Sequence, residues 1–252
     1  MIPYIEIHVI PVGPIQIQVW GLFVALGIAA ALWLGARECR HRRLDIEVFF
    51  DLALWSLIGA FVGARLVHAL AYAPAQFLAD PLELFRVWHG GLSSLGGFLG
   101  GIIGGRFFGR KRNLALRAYV EVAAFVLPLG YGIGRIGCFL IHDHPGTLSH
   151  SLLAVRYPGG SRLDHGLLLS LLGFAIFGIF LLLRRYRPNI SFVAAFVLLY
   201  APVRFALDFY RAADVPLPDA RYWALTPAQY AAVIATVLVI FSLRRSATRK
   251  FS

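Results

Sequence analysis

Apolar positions in this chain come in long unbroken blocks. Seven can be read, at roughly 19–36, 48–72, 92–109, 117–141, 166–183, 190–208 and 226–243. Each approaches the ~20 residues that an α-helix needs to cross a bilayer. The pattern predicts an all-α integral membrane protein with seven transmembrane helices, built as a single polytopic domain over residues 1–252. The stretch from Met1 to Gln18 is mixed and broken by proline, so no short cleavable signal is expected to stand alone there. Composition agrees: 59% of residues are hydrophobic and only 15% charged, where a soluble domain is about a quarter charged. The mean hydropathy is +0.71.

Charge then orients the helices. The formal net charge of +11 would suit a nucleic-acid binder if it were spread over a soluble surface. Instead, sixteen of the 24 basic residues fall on every second connection. They are Arg37, Arg40, Arg42 and Arg43; Arg106, Arg110, Lys111, Arg112 and Arg117; Arg184, Arg185 and Arg187; Arg244, Arg245, Arg249 and Lys250. The other connections hold only Arg86, Arg156, Arg162, Arg211 and Arg221. The positive-inside rule places the amino terminus outside and the carboxyl terminus in the cytosol. The excess charge is a topology signal, and no nucleic-acid partner is expected.

Three arginines remain inside the blocks: Arg65, Arg135 and Arg204. An ionisable group at membrane depth is costly and points to function. With this orientation, blocks two, four and six run outward, and all three arginines lie in their outer halves. A shared anionic ligand is expected, because the planar guanidinium matches a phosphate in two-pronged fashion. The competing reading is local pairing: Asp208 lies four residues after Arg204 on the same helical face, and Arg211 follows at i+7. Arg135 has no acid at helical spacing within its own block.

Glycines surround two of these places. Gly96, Gly100 and Gly104, with Gly97, Gly101 and Gly105, form a small-xxx-small pattern that lets membrane helices approach closely. The preceding Gly90-Gly91-Leu92-Ser93-Ser94 offers backbone N–H groups and two hydroxyls that could line a headgroup site. Gly130, Gly132, Gly134 and Gly137 flank Arg135 and are expected to loosen the fourth helix there. The outer connections 73–91 and 209–225 are candidates for re-entrant stretches. After the fourth helix comes His142-Asp143-His144. Adjacent loop residues cannot all converge on one ion, so the cluster reads as a set of proton acceptors, with no metal or cofactor expected. Cys39 and Cys138 show no zinc spacing, and no disulfide between them is expected.

These motifs resemble the prolipoprotein diacylglyceryl transferase family of the bacterial inner membrane. Gly134-Arg135-Ile136-Gly137-Cys138-Phe139 through Gly146 is similar to the family signature, and Gly90 to Ser94 is similar to its second motif. Arg204-Phe205-Ala206-Leu207-Asp208-Phe209-Tyr210-Arg211, followed by Leu225-Thr226-Pro227-Ala228-Gln229-Tyr230, is similar to its C-terminal pattern. The resemblance spans nearly the whole chain. It implies transfer of an sn-1,2-diacylglyceryl group from phosphatidylglycerol to the thiol of a lipobox cysteine in a prolipoprotein signal peptide. It also implies that the headgroup sits beneath Arg135 and Arg204; with these, the residues expected to bind the lipid are Arg65, Gly90, Gly91, Ser93, Ser94, Gly134, Gly137, Gly146, Asp208 and Arg211. Asp143, His142, His144 or His89 would then take the thiol proton.

The chain departs from the family pattern at four places. Leu95 stands where a histidine usually follows the second motif, Cys138 replaces asparagine, Asp143 replaces glutamate, and Trp20 replaces tyrosine before Gly21. The loss at Leu95 leaves open a phospholipid-binding paralogue with altered substrate or no transfer. A seven-helix retinal protein is excluded, because both lysines, Lys111 and Lys250, lie in the cytosolic flanks.

Overall fold

The structure is a computed structural model that describes residues 1–86, 91–187, 190–215 and 221–248. It is mostly helical. Six helices are long and apolar enough to cross a membrane: Val19–His41, Ile46–Ala71, Arg117–Ile141, His165–Tyr186, Phe192–Tyr210 and Pro227–Arg245. The third predicted block forms a helix too, Ser94–Lys111, but seven of its 18 residues are glycine and it is not among the six. The blocks predicted from apolar runs therefore mark helices throughout. Their ends differ where polar residues extend a helix, as at Arg37 to His41 in the first.

The chain divides into two compact units, with borders inside the first long helix and the helix that follows Leu116. The smaller unit covers Ala36–Val120. Its first complete helix, α2 (Ile46–Ala71), is capped by Asp45, whose carboxylate accepts from Glu47 N at 2.8 Å. A short helix α3 (Pro74–Ala79) and a 3-10 turn (Pro81–Phe85) follow in the connection expected to be re-entrant. They lead to α4 (Ser94–Lys111). Gly59 and Gly63 of α2 meet Gly96, Gly100 and Gly104 of α4 backbone to backbone; a Cβ on Gly63 would lie 2.8 Å from Gly100 Cα. The four-residue glycine repeat is therefore a contact stripe, as its spacing predicts.

The larger unit joins Met1–Gly35 with Glu121–Ser252. It opens with a hairpin, β1 (Val9–Val12) and β2 (Ile15–Gln18), turning at Gly13 with φ +58. Helix α1 (Val19–His41) begins here, and α5 (Arg117–Ile141), α6 (His165–Tyr186), α7 (Phe192–Leu207) and α8 (Pro227–Thr248) complete the helical set. Phe125, Ile176, Phe180 and Phe192 form the core between α5, α6 and α7. Glu121 ties the start of α7 down, accepting from Phe192 N at 2.6 Å and from the Ser191 hydroxyl at 2.7 Å. On α8, Val233, Ile234, Val237, Leu238 and Phe241 are exposed, as a lipid-facing helix requires.

Between α5 and α6 the chain builds a small antiparallel sheet that the apolar pattern does not predict. Strands β3 (Pro145–Leu148), β4 (Val155–Tyr157) and β5 (Gly160–Asp164) lie in the order β3–β5–β4. Pro158-Gly159 makes the turn between the last two, with Gly159 at φ +91 where a type II turn needs glycine. Ile2 bridges Val155, so the amino terminus is fastened to this sheet.

Candidate active site

Helices α5 and α7 carry matching rungs. Tyr131 lies four residues before Arg135, and Tyr200 four residues before Arg204. The two tyrosine hydroxyls are 2.9 Å apart, and the rings meet edge to face with centroids at 5.4 Å. Four helical residues rise about 6 Å, so this pair fixes both arginines one turn further along neighbouring helices. The Arg135 guanidinium packs over the Tyr131 ring at 5.1 Å, and its Nη1 is 3.7 Å from Cys138 Sγ. It makes no ion pair with a carboxylate among the described residues. Sequence reading missed both tyrosines; their i−4 offset from each arginine was the available signal.

Arg204 is different, because the pairing suggested by its spacing is present. Its Nη1 bonds Asp208, which is 1% exposed. Asp208 is a hub: Arg211 Nε lies 3.0 Å from the same carboxylate oxygen, and Thr226 Oγ1 donates to the other at 2.6 Å. Its backbone carbonyl accepts from Arg221 at 3.1 Å. Thr226 and Gln229 cap each other at the head of α8, with Thr226 N on Gln229 Oε1 at 2.8 Å. Three guanidiniums, Arg135, Arg204 and Arg211, therefore share one electrostatic neighbourhood. Burial, then repulsion from Arg204, pushes Arg211 down to about 10, still cationic at neutral pH. A crowd of cations with one shared carboxylate in low dielectric favours an added anion.

The 142–146 stretch adjoins this crowd. His142 ends α5 with φ +50, and its ring is held against Asp164 at 2.8 Å. Asp164 was not singled out from the sequence, since 22 residues separate it from its partner. Asp143 keeps 32% of its side chain open, yet desolvation by the surrounding protein lifts its carboxyl to about 6, against the pull of Arg135. Burial, then Arg211 and Arg135, pushes the His144 imidazole down to about 3, so it stays neutral and is a weak base. Gly146 pairs with Arg211 in an isolated bridge, and a Cβ there would lie 2.7 Å from Leu163 O and 2.8 Å from Tyr210 O. Only a glycine lets β5 and the Tyr210 backbone close on it.

The two glycines beside Arg135 do separate jobs. Gly137 packs on the first turns of α1, where a Cβ would lie 2.9 Å from Phe23 Cβ and 3.1 Å from Trp20 Cα. Gly134 has ordinary space toward Val24. Helix α5 runs unbroken from Arg117 to Ile141 through Pro128, so the glycines act as contact points along a continuous helix.

Arg65, Gly91 and Ser93 belong to the smaller unit. The buried Arg65 guanidinium donates to the carbonyls of Glu83, Leu84 (3.1 Å), Arg86 (3.1 Å) and Gly91 (3.2 Å). It thereby clamps the connection between α2 and α4. Gly91 has φ +77 beside His68, and the Ser93 hydroxyl caps α4 by accepting from Gly96 N at 3.3 Å. Gly90, His89 and the Ser94 side chain lie outside the described residues.

The chain is similar to known proteins along most of its length. The model of the prolipoprotein diacylglyceryl transferase family matches residues 8–244. The chain is 33% identical over 260 residues to the phosphatidylglycerol–prolipoprotein diacylglyceryl transferase of Pseudomonas aeruginosa, covering 98% of this chain and 97% of that one. It is 34% identical over 222 residues to the enzyme of that name from Chromohalobacter salexigens, covering 85% of this chain and 82% of that one.

Proposed function

Because the chain belongs to the prolipoprotein diacylglyceryl transferase family, we propose that it moves an sn-1,2-diacylglyceryl group from phosphatidylglycerol to the thiol of a prolipoprotein lipobox cysteine. The thiolate attacks C3 of the diacylglyceryl group, the C–S bond forms, and the C3–O bond breaks with its electrons leaving on glycerol phosphate. No nucleophile from this chain is needed. The leaving phosphate gains charge in the transition state, and preorganised guanidiniums in a dry site stabilise that charge. Arg135, Arg204 and Arg211 are assigned this role, with Asp208 holding the latter two and Gly134, Gly137 and Gly146 allowing the close packing around them. The observation that carries the assignment is the Arg135 guanidinium, set at membrane depth on the Tyr131 ring with no carboxylate partner among the described residues. The thiol proton is assigned to the 142–144 stretch: Asp143 and His144 feel the charges of Arg135 and Arg211, and His142 directly precedes them in the chain.

The reading extends to topology and place: seven transmembrane helices in one polytopic domain, amino terminus outside, in the bacterial inner membrane. The alternation of basic connections supports this orientation. Within the smaller unit, Arg65, Gly90, Gly91, Ser93 and Ser94 are assigned to phospholipid binding on the sequence reading alone. The test is transfer of labelled diacylglyceryl from phosphatidylglycerol to a lipobox peptide. Wild type should form the thioether, and Arg135→Ala should lose about 10²–10³-fold in rate. An intact, lipid-binding wild type that forms no product refutes the assignment.

A further inference from the structure

His142 occupies backbone and side-chain positions that need explaining. Its φ of +50 is one that a non-glycine residue rarely adopts. Its side chain is 1% exposed. The ring stacks on Tyr4, with centroids 4.3 Å apart and planes 15° apart, and stands edge-on to Phe139 and Tyr157. Nδ1 lies 2.8 Å from Asp164 Oδ2, which also accepts the Tyr157 hydroxyl at 2.5 Å. The other Asp164 oxygen accepts from Leu167 N at 2.9 Å, at the head of α6. Nε2 is buried and has no hydrogen-bond partner among the described residues.

This arrangement decides a tautomer. An ionised aspartate only accepts, so His142 Nδ1, which also has the Tyr157 hydroxyl at 3.2 Å, is assigned as the donor to Asp164, and the neutral ring then presents its lone pair at Nε2. The same division of labour holds imidazole bases in hydrolase triads. The acidic groups about the ring are Asp164, the adjacent Asp143, and Glu6 of the amino-terminal strap, with the Tyr4 and Tyr157 hydroxyls between them. The strap is tied by Ile2 N to Ala154 O at 2.9 Å and by Ile7 N to Leu140 O at 2.8 Å. It covers the ring from water and must shift for a thiol to enter.

We propose that His142 Nε2 takes the proton of the incoming cysteine thiol, and that Asp164 is the positioning residue that aims it. The proposal rests on the transferase reading. The S–H proton passes to Nε2, the sulfur pair forms the C–S bond, and the C3–O pair leaves with the phosphate. The proton then leaves Nε2 for the departing glycerol phosphate, which restores the neutral ring.

The test uses the full chain in phosphatidylglycerol vesicles with a lipobox peptide. His142→Gly suits the backbone, since glycine adopts φ +50 without strain, and it leaves an imidazole-sized gap. Its rate should fall about 100-fold or more and recover with added imidazoles, faster as the pKa of the added base rises. Asp164→Asn keeps the cap on α6, because asparagine caps as well as aspartate. It should lower kcat with KM unchanged and displace the pH profile. A His142→Gly rate equal to wild type, or a rescue indifferent to the pKa of the added base, overturns the proposal. If Arg135→Ala is dead while His142→Gly is fully active, the transferase reading stands and this inference falls. No transfer by an intact wild type removes both.

Discussion

Asp208→Asn is the sharpest perturbation of the site. The aspartate is 1% exposed, pairs with Arg204, faces Arg211 at 3.0 Å and accepts Thr226 Oγ1 at 2.6 Å. Asparagine keeps the volume but removes the negative charge, and its NH2 group cannot accept from either the guanidiniums or the hydroxyl. Removing one partner of a buried ion pair costs about 3–5 kcal/mol, because the other charge stays buried and uncompensated. Here two cations are stranded, next to a third on α5. At about 2–4 °C per kcal/mol for a chain of this size, the thermal midpoint in detergent should fall by roughly 6–20 °C. The same reasoning predicts a rescue. Phosphatidylglycerol should raise the midpoint of Asp208→Asn more than that of wild type, since its phosphate replaces the lost charge. A neutral lipid of the same chain length should not. A midpoint within about 2 °C of wild type, or equal stabilisation by the two lipids, would refute the view of Asp208 as the counter-charge of the arginine crowd.

Two further outcomes follow from the loop beside the arginines. Gly146→Ala forces a Cβ against two carbonyl oxygens at 2.7 and 2.8 Å. It should destabilise the chain by about 1–3 kcal/mol, read as a lower thermal midpoint, with transfer reduced because Arg211 is bridged to the same residue. Asp143, raised to about 6 in the folded chain, binds its proton more tightly there than in the unfolded chain, where about 3.9 is ordinary. Its stabilising effect is therefore full below about pH 4 and is lost as pH rises through about 6. Asp143→Asn cannot ionise, so its thermal midpoint should exceed that of wild type at pH 7.5, with the gap narrowing at pH 5. A gap that widens toward acid would mean that the carboxylate is stabilised by Arg135 more than burial opposes it.

What could be read from the chain beforehand was local. The block read at roughly 117–141 was legible because its run is mostly apolar, and a helix spans Arg117–Ile141. The Arg204–Asp208 pair was foreseen as the competing reading for Arg204, because i,i+4 spacing brings two side chains together on any helix. The glycine repeat in α4 announced a close helix contact for the same reason. The three-strand sheet escaped, since short strands of three to five residues leave almost no periodic signal, although Pro158-Gly159-Gly160 marked its turn.

The tertiary structure decided which distant residues share a charge environment. Arg65 carried the same membrane-depth signal as Arg135, yet the fold encloses it with backbone carbonyls of the α2–α4 connection, 18 to 26 residues away. Tyr131 meets Tyr200 across 69 residues, and His142 meets Asp164 across 22. No periodicity encodes such meetings: they arise when packed helices bring separated segments to one level. The sequence by itself placed three arginines inside long apolar helices. Only the folded chain decided which are matched by carboxylates or carbonyls and which, among the described residues, lies on an aromatic ring without a carboxylate, because a buried charge is defined by the neighbours that replace its water.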